Sequence, residues 1–231
     1  MTGERGPATL RLASYNTRDF LDDRHAAARV VRALAPDVLC LQEVPRRLLG
    51  GRRVRAFAAE GGMGWGGGHR GSGGTTVLTG PRVTRLALEH HRLPVLPGVR
   101  TRGYAVARVA LGDRPPLTVV SVHLSLSPAQ RVRHVHRLLG VVEPDGSATR
   151  TLVAGDLNEG PDGAAYGVLS TRHRAATDGT PTFPVWAPDK ALDVVLATPD
   201  LLVRPGDPVD LDEDDVRAAS DHRPVWVEVE V

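Results

Sequence analysis

The chain has 231 residues, 41% hydrophobic and 24% charged. That excludes a disordered chain and suits one domain over residues 1–231, burying roughly 70% of its unfolded surface without a covalent staple. A single cysteine, Cys40, excludes an internal disulfide and a cysteine zinc site, and 4% aromatics argue against a base-stacking platform. The formal charge of +2 conceals a split: residues 1–140 carry 22 arginines against 9 acidic residues, and residues 141–231 carry 7 basic against 18 acidic.

The first residues lead directly into Leu10–Ala13 and then Tyr15, Asn16 and Arg18. With no apolar signal core and no run near the ~20 apolar residues of a spanning helix, the expectation is a cytoplasmic protein without a membrane span. Leu10–Tyr15 reads as a strand, and Arg24–Ala35 as a helix burying Ala27, Val30, Val31 and Leu34. After a strand at Val38–Gln42, Pro45–Glu60 reads as a second helix, started by Pro45, stopped at Gly61 and weakened by Gly50 and Gly51. Residues 61–74 hold nine glycines without the order of a phosphate-binding P-loop, and read as a mobile loop.

Strands follow at Thr75–Thr79, Tyr104–Leu111 and Leu117–His123. A third helix starts at Ser127 and Pro128 and buries Val132, Val135, Leu138, Leu139 and Val142. Thr151–Ala154, Leu192–Ala197 and Val225–Val231 complete the strands, and the acidic run from Asp207 to Asp215 reads as a solvated loop. Many strands with few helices predict an α+β sandwich of two packed sheets flanked by helices.

Polar residues stand where apolar strands end: Asn16, Gln42 with Glu43, His123, Asp156 with Asn158, and Asp193, while Ser220-Asp221-His222 precedes the last strand. Singly, each suits a turn or a satisfied imidazole; together they describe groups aimed from a rigid scaffold into one cleft. The segments around Asn16, Gln42-Glu43 and His123, with Gly155-Asp156-Leu157-Asn158, Leu192-Asp193 and Ser220-Asp221-His222-Arg223-Pro224, resemble the endonuclease/exonuclease/phosphatase superfamily along nearly the whole chain. The resemblance implies a deoxyribonuclease I-like four-layer α/β/β/α sandwich and a divalent-metal-dependent phosphoester hydrolase.

It further implies Glu43 as principal metal ligand, with Asn16 and Asp221 completing the shell. Asp156 is implied to activate the attacking water, and Asn158 to hold the phosphate. Asp193 and His222 are implied to form a carboxylate–imidazole pair, with His123 a second imidazole donating to phosphate or leaving group. No partner carboxylate for His123 is evident from the sequence. Arg102, just before a strand, is a candidate phosphate ligand. Oxygen donors without cysteine suit Mg²⁺ or Mn²⁺. A phosphodiester being hydrolysed needs such a cation, a positioned water and donors around the phosphoryl oxygens.

The chain departs from the family pattern in three places: Arg18 stands where repair members carry Asp or Asn, Thr75 where many carry Asn, and Val194 follows Asp193. Two substrate classes stay open. Arginines 46, 47, 52, 53 and 55 suit a nucleic-acid backbone, whereas short loops, few aromatics and the acidic run suit a small-molecule or lipid phosphoester. A non-catalytic binding module on the same fold is the alternative of a different class, and no protein partner is inferable. Two carboxylates of a glycosidase would leave His123, Asn158 and His222 unexplained.

Overall fold

The computed structural model describes residues 8–96, 98, 100–146 and 149–231, apart from the side chain of Arg70. In chain order it contains β1 (Thr9–Asn16), α1 (Arg24–Leu34), β2 (Val38–Gln42), α2 (Gly50–Glu60), β3 (Gly64–Trp65), β4 (Thr76–Thr79), β5 (Val83–Leu93), β6 (Arg102–Leu111) and β7 (Leu117–His123). There follow α3 (Pro128–Val142), β8 (Thr151–Asp156), α4 (Ala164–Ser170), β9 (Arg174–Ala175), β10 (Asp193–Ala197), β11 (Val203–Pro205), α5 (Glu213–Ala219) and β12 (Val225–Glu230).

The strands form two six-stranded sheets, ordered β11-β12-β1-β2-β4-β3 and β5-β6-β7-β8-β10-β9. Between them lies a shared core, in which Leu10, Leu12 and Val38 of the first sheet meet Ala107, Val119 and Leu152 of the second. The first sheet's other face packs Tyr15 and Leu41 against Val31, Phe57 and Val216 of α1, α2 and α5. The second packs Val122 and Val153 against Leu138 and Leu169 of α3 and α4. The result is an α+β sandwich in four layers, and strands covered on both faces explain the apolar stretches of β2 and β7, the latter interrupted by Thr118 and Ser121.

Strand direction gathers the polar ends. β1 and β2 run parallel and end together, as do β7 and β8, while β6, β10 and β12 run antiparallel to their neighbours and begin at that same end. Cross-sheet hydrogen bonds tie the two layers there: Gln42 Nε2 donates to Ser121 Oγ at 3.2 Å, and Ser121 Oγ donates to the Leu41 carbonyl at 3.0 Å. Gly155 lies at φ 151°, where a Cβ would come 2.0 Å from the Val122 oxygen, so the β7–β8 contact needs glycine.

Several expectations are corrected. The second helix starts at Gly50, not Pro45: a Cβ on Gly50 would lie 2.2 Å from the Pro45 oxygen, so the glycine pair forms the helix entry rather than a weak middle. The glycine-rich stretch is packed instead of hanging free. It holds β3 and a 3-10 turn at His69–Ser72, and Gly73 and Gly103 allow the turn to lie against the start of β6. The acidic run is partly helical, because Asp212 caps α5 by accepting from the amides of Asp214 and Asp215, and acidic residues in a first turn match the helix dipole. β5 escapes sequence reading because it is an edge strand, largely exposed and without apolar alternation.

The opposed charge of the two parts of the chain is used internally. Arg11 pairs with Glu228 at 2.7 Å, Arg29 with Asp215 at 2.5 Å and Arg131 with Glu159 at 2.6 Å.

Candidate active site

At the gathered strand ends the backbone leaves ordinary geometry. Arg18, Asp19, Phe20, Glu43 and Asn158 all have positive φ, near 50°, in the turns that follow β1, β2 and β8. Such strain in non-glycine residues persists where the surroundings fix it, and here the turns bring Glu43 and Asn158 to the site while Phe20 packs back against Phe57.

Asp156 lies at the centre and is 1% exposed. Its Oδ2 accepts from Asn16 Nδ2 at 2.9 Å, and its Oδ1 accepts from the Asn158 amide at 2.8 Å. The Asn158 side chain donates from Nδ2 to the Leu124 carbonyl at 3.0 Å. His123 Nε2 stands 3.3 Å from Asp156 Oδ2 and 3.8 Å from Glu43 Oε1, which supplies the carboxylate partners that the sequence did not reveal.

Opposite Asp156, His222 Nδ1 is 2.7 Å from Asp193 Oδ2. The same carboxylate oxygen accepts from Thr182 Oγ1 at 2.6 Å, and Asp193 Oδ1 is buried without a hydrogen-bond partner. The Phe183 ring leans on the imidazole, with centroids 4.9 Å apart. This leaves His222 Nε2 directed toward Asp156 Oδ2, at 3.9 Å.

Electrostatics divide these groups. Burial, then the negative charge of Asp193, pushes Asp156 up to about 7 against the opposing pull of His222 and its two hydrogen bonds. Burial alone would lower His222, but the hydrogen-bonded Asp193 carboxylate outweighs it, followed by Asp156 and Asp221, and lifts the imidazole to about 9. His123 is held well below its ordinary value, first by burial and then by Arg102, His222, Arg100 and Arg46. One imidazole is therefore cationic at neutral pH and the other neutral.

The remaining expected residues sit on the rim. Glu43 Oε2 pairs with Arg100 Nη1 at 2.8 Å, and Arg100 also contacts Asp19. Asn16 Oδ1 accepts from the Arg18 amide at 3.1 Å, and Asp221 Oδ2 pairs with Arg18 Nε at 3.3 Å. Arg102 is 6% exposed; its Nε donates to the Leu124 carbonyl at 2.8 Å, and it makes no ion pair among the described residues. Burial lowers its pKa, with Glu43 and Asp156 acting in the other direction. A buried guanidinium without a carboxylate partner is a standing anion acceptor.

Asp156, Asp193 and His222 each offer a ligand atom within 4.8 Å of the others, a geometry able to hold a metal ion. Glu43, Asn16 and Asp221 offer only oxygen donors, with the carboxylate side chains 14% and 22% exposed, which fits a hard divalent cation. The sequence did not single out Arg100 and Thr182 for the site, and it marked Arg18 only as a departure from the family pattern. Arg100 belongs to a turn between β5 and β6 with no periodic signal, and only the fold brings it to Glu43.

The family model described as "Endonuclease/Exonuclease/phosphatase family" matches residues 13–222. No curated protein matches the chain. Among solved structures, an endonuclease/exonuclease/phosphatase from Bacteroides vulgatus superposes with a TM-score of 0.78 at 17% identity, covering 97% of this chain and 99% of that one. The human Nocturnin catalytic domain with bound sulfate gives 0.72 at 16%, covering 96% and 94%. ANGEL2, a 2′,3′-cyclic phosphatase in complex with adenosine-2′,3′-vanadate, gives 0.68 at 14%, covering 97% and 96%.

Proposed function

The chain belongs to the endonuclease/exonuclease/phosphatase family, and from that premise we propose that it is a divalent-metal-dependent phosphoester hydrolase acting on a phosphodiester by in-line attack of water. The observation that carries this reading is that Asp156 Oδ2 and His222 Nε2 face each other at 3.9 Å, a carboxylate that burial pushes up opposite an imidazole that Asp193, 2.7 Å from its Nδ1, lifts. Groups whose environments drive their pKa values apart are suited to opposite proton-transfer roles. Phosphate and sulfate chemistry in the names of structural neighbours agrees with it.

In this reading Asp156, oriented by Asn16 and the Asn158 amide, takes the proton of the attacking water. His222 acts as the imidazolium, with Asp193 fixing its tautomer and Thr182 holding Asp193, and donates toward the phosphoryl oxygens as charge develops. Neutral His123 and Asn158 are donors to the phosphate or leaving oxygen, and Arg102 supplies fixed positive charge. Glu43, Asn16 and Asp221 would hold Mg²⁺ or Mn²⁺. When bound, that ion contributes Lewis-acid stabilisation of the phosphoryl oxygens.

The arginines that suggested a polymer track diverge. Arg46 turns to Thr101, Arg53 donates to the Phe20 carbonyl at 2.7 Å, and Arg47, Arg52 and Arg55 stay exposed. The test is hydrolysis of supercoiled plasmid, a chromogenic phosphodiester and a chromogenic phosphomonoester, with Mg²⁺ or Mn²⁺ and with chelator. His222→Ala serves as the contamination control. Metal-dependent turnover of at least one substrate, absent from the variant, is expected. Equal turnover by the variant would refute the assignment.

A further inference from the structure

Among the described residues, nine large apolar side chains are strongly exposed, and six of them, Leu21, Leu48, Leu49, Leu96, Leu126 and Trp186, stand on loops at the catalytic end. Leu21 follows the turn after β1, Leu48 and Leu49 lie between β2 and α2, and Leu96 lies between β5 and β6. Leu126 follows β7, and Trp186 belongs to the loop whose Phe183 touches His222. Each is more than half exposed, Leu48 at 88%. The other three are scattered, Leu86 within β5, Val141 at the far end of α3 and Leu202 before β11. Scattered exposed leucines are ordinary, but six large apolar side chains on loops at the same end as a polar site favour a surface that meets something apolar.

Charge names the partner. Arg47, Arg52 and Arg92 are exposed at the same end and form no ion pair among the described residues, and Arg47 directly precedes Leu48 and Leu49. Nearby acidic side chains are mostly engaged: Asp19 with Arg100, Asp22 and Asp221 with Arg18, and Asp23 with the amides that open α1. Asp162, between β8 and α4, and Asp189, in the loop before β10, are exposed and pair with none of these arginines among the described residues. The acidic first turn of α5 points away, since that helix runs toward Ser220 and the site. Exposed leucines and a tryptophan among unpaired arginines are the composition of a surface that inserts side chains into an anionic bilayer.

We propose that the catalytic end docks on an anionic lipid surface through Leu48, Leu49 and Trp186 with Arg47, so that the phosphoester taken is one presented in a lipid headgroup. This rests on the phosphoesterase reading for the substrate and on the exposed surface alone for docking. Apolar side chains at the mouth enter the acyl boundary while the phosphate level of the bilayer meets Arg102 and His222. A nucleic acid could stack a base on Trp186 but would gain little from the five leucines, so DNA capture is the competing outcome.

The experiment is co-sedimentation of the full chain with vesicles of phosphatidylcholine alone or with phosphatidylglycerol, at low and moderate salt, beside a gel-shift with plasmid. Binding to the anionic vesicles is expected to exceed that to neutral ones by at least about tenfold and to weaken with salt. The double variant Leu48→Ser/Leu49→Ser is expected to lose at least about tenfold of it while cleaving a soluble chromogenic phosphodiester like the parent. Equal binding to both vesicles, unchanged binding by the double variant, or plasmid binding in place of vesicle binding overturns the proposal. Vesicle binding needs no turnover. A chain that docks but, with Mg²⁺ or Mn²⁺, cleaves neither the vesicle phospholipid headgroup nor the soluble esters refutes the hydrolase reading, and one that cleaves soluble esters but does not dock refutes this one.

Discussion

The first sheet brings Asn16, Glu43 and Asp221 to the site with carboxylates that are partly exposed and already held by Arg100 and Arg18. The second brings His123, Asp156 and Asp193, side chains at most 3% exposed that are coupled to one another and to His222. The difference teaches how one cleft divides its work. A partly hydrated carboxylate balanced by a part-exposed guanidinium exchanges that partner at small cost, which suits an exchangeable cation. A carboxylate cut off from water has its pKa moved by every neighbouring charge, which suits proton transfer.

The largest expected effects come from the buried side. Asp156→Asn and His222→Ala should each lower kcat for a chromogenic phosphodiester by about a thousandfold, with unchanged circular dichroism. Asp156→Asn should also raise the melting temperature at pH 8. The native pKa of Asp156 lies near 7, above the ordinary 3.8, so its burial favours the protonated form and stability is lost as pH rises through that window. An unchanged or lower melting temperature for the variant would show that Asp156 is not held against ionisation.

Asp193→Asn comes next, at about a hundredfold in kcat, because His222 then loses the charge that lifts it. His222 has a native pKa raised above 6.5. Its contribution to stability is therefore complete below about 6.5 and lost as pH rises through about 9, and the variant should lose that dependence in denaturation curves measured from pH 6 to 10.

On the exposed side, Glu43→Gln should weaken Mn²⁺ binding about tenfold by calorimetry, with activity restored in part by excess metal. A variant that binds Mn²⁺ as tightly as the parent would move the ion to the Asp156, Asp193 and His222 group, whose ligand atoms lie within 4.8 Å of each other. Thr182→Val should have the smallest effect, a few-fold in kcat, since Asp193 keeps His222 when it loses the hydroxyl.

Most of the buried side was legible in the sequence because strand ends are fixed by local pattern. β7 and β8 are largely buried on both faces, so their apolar stretches stop visibly at His123 and Asp156. The order of the polar segments supplied the family. Arg100, by contrast, reaches Glu43 only because β5 pairs with β6, and β5 has no apolar alternation to announce it. Thr182 reaches Asp193 from eleven residues away through a loop whose path depends on packing against Asp221, where the Val185 amide donates at 2.7 Å. The acidic run is solvated as its composition implies, but its helical end is not legible there, because the cap at Asp212 depends on which amides lie free.

The most direct test of the central claim is kcat/KM against pH for a chromogenic phosphodiester with Mn²⁺, comparing the parent with Asp193→Asn. The site predicts a bell whose acid limb belongs to Asp156 and whose alkaline limb belongs to His222, the alkaline limb moving to lower pH in the variant because Asp193 no longer lifts the imidazole. An alkaline limb that stays in place, or turnover no greater than that of His222→Ala at every pH, would contradict it.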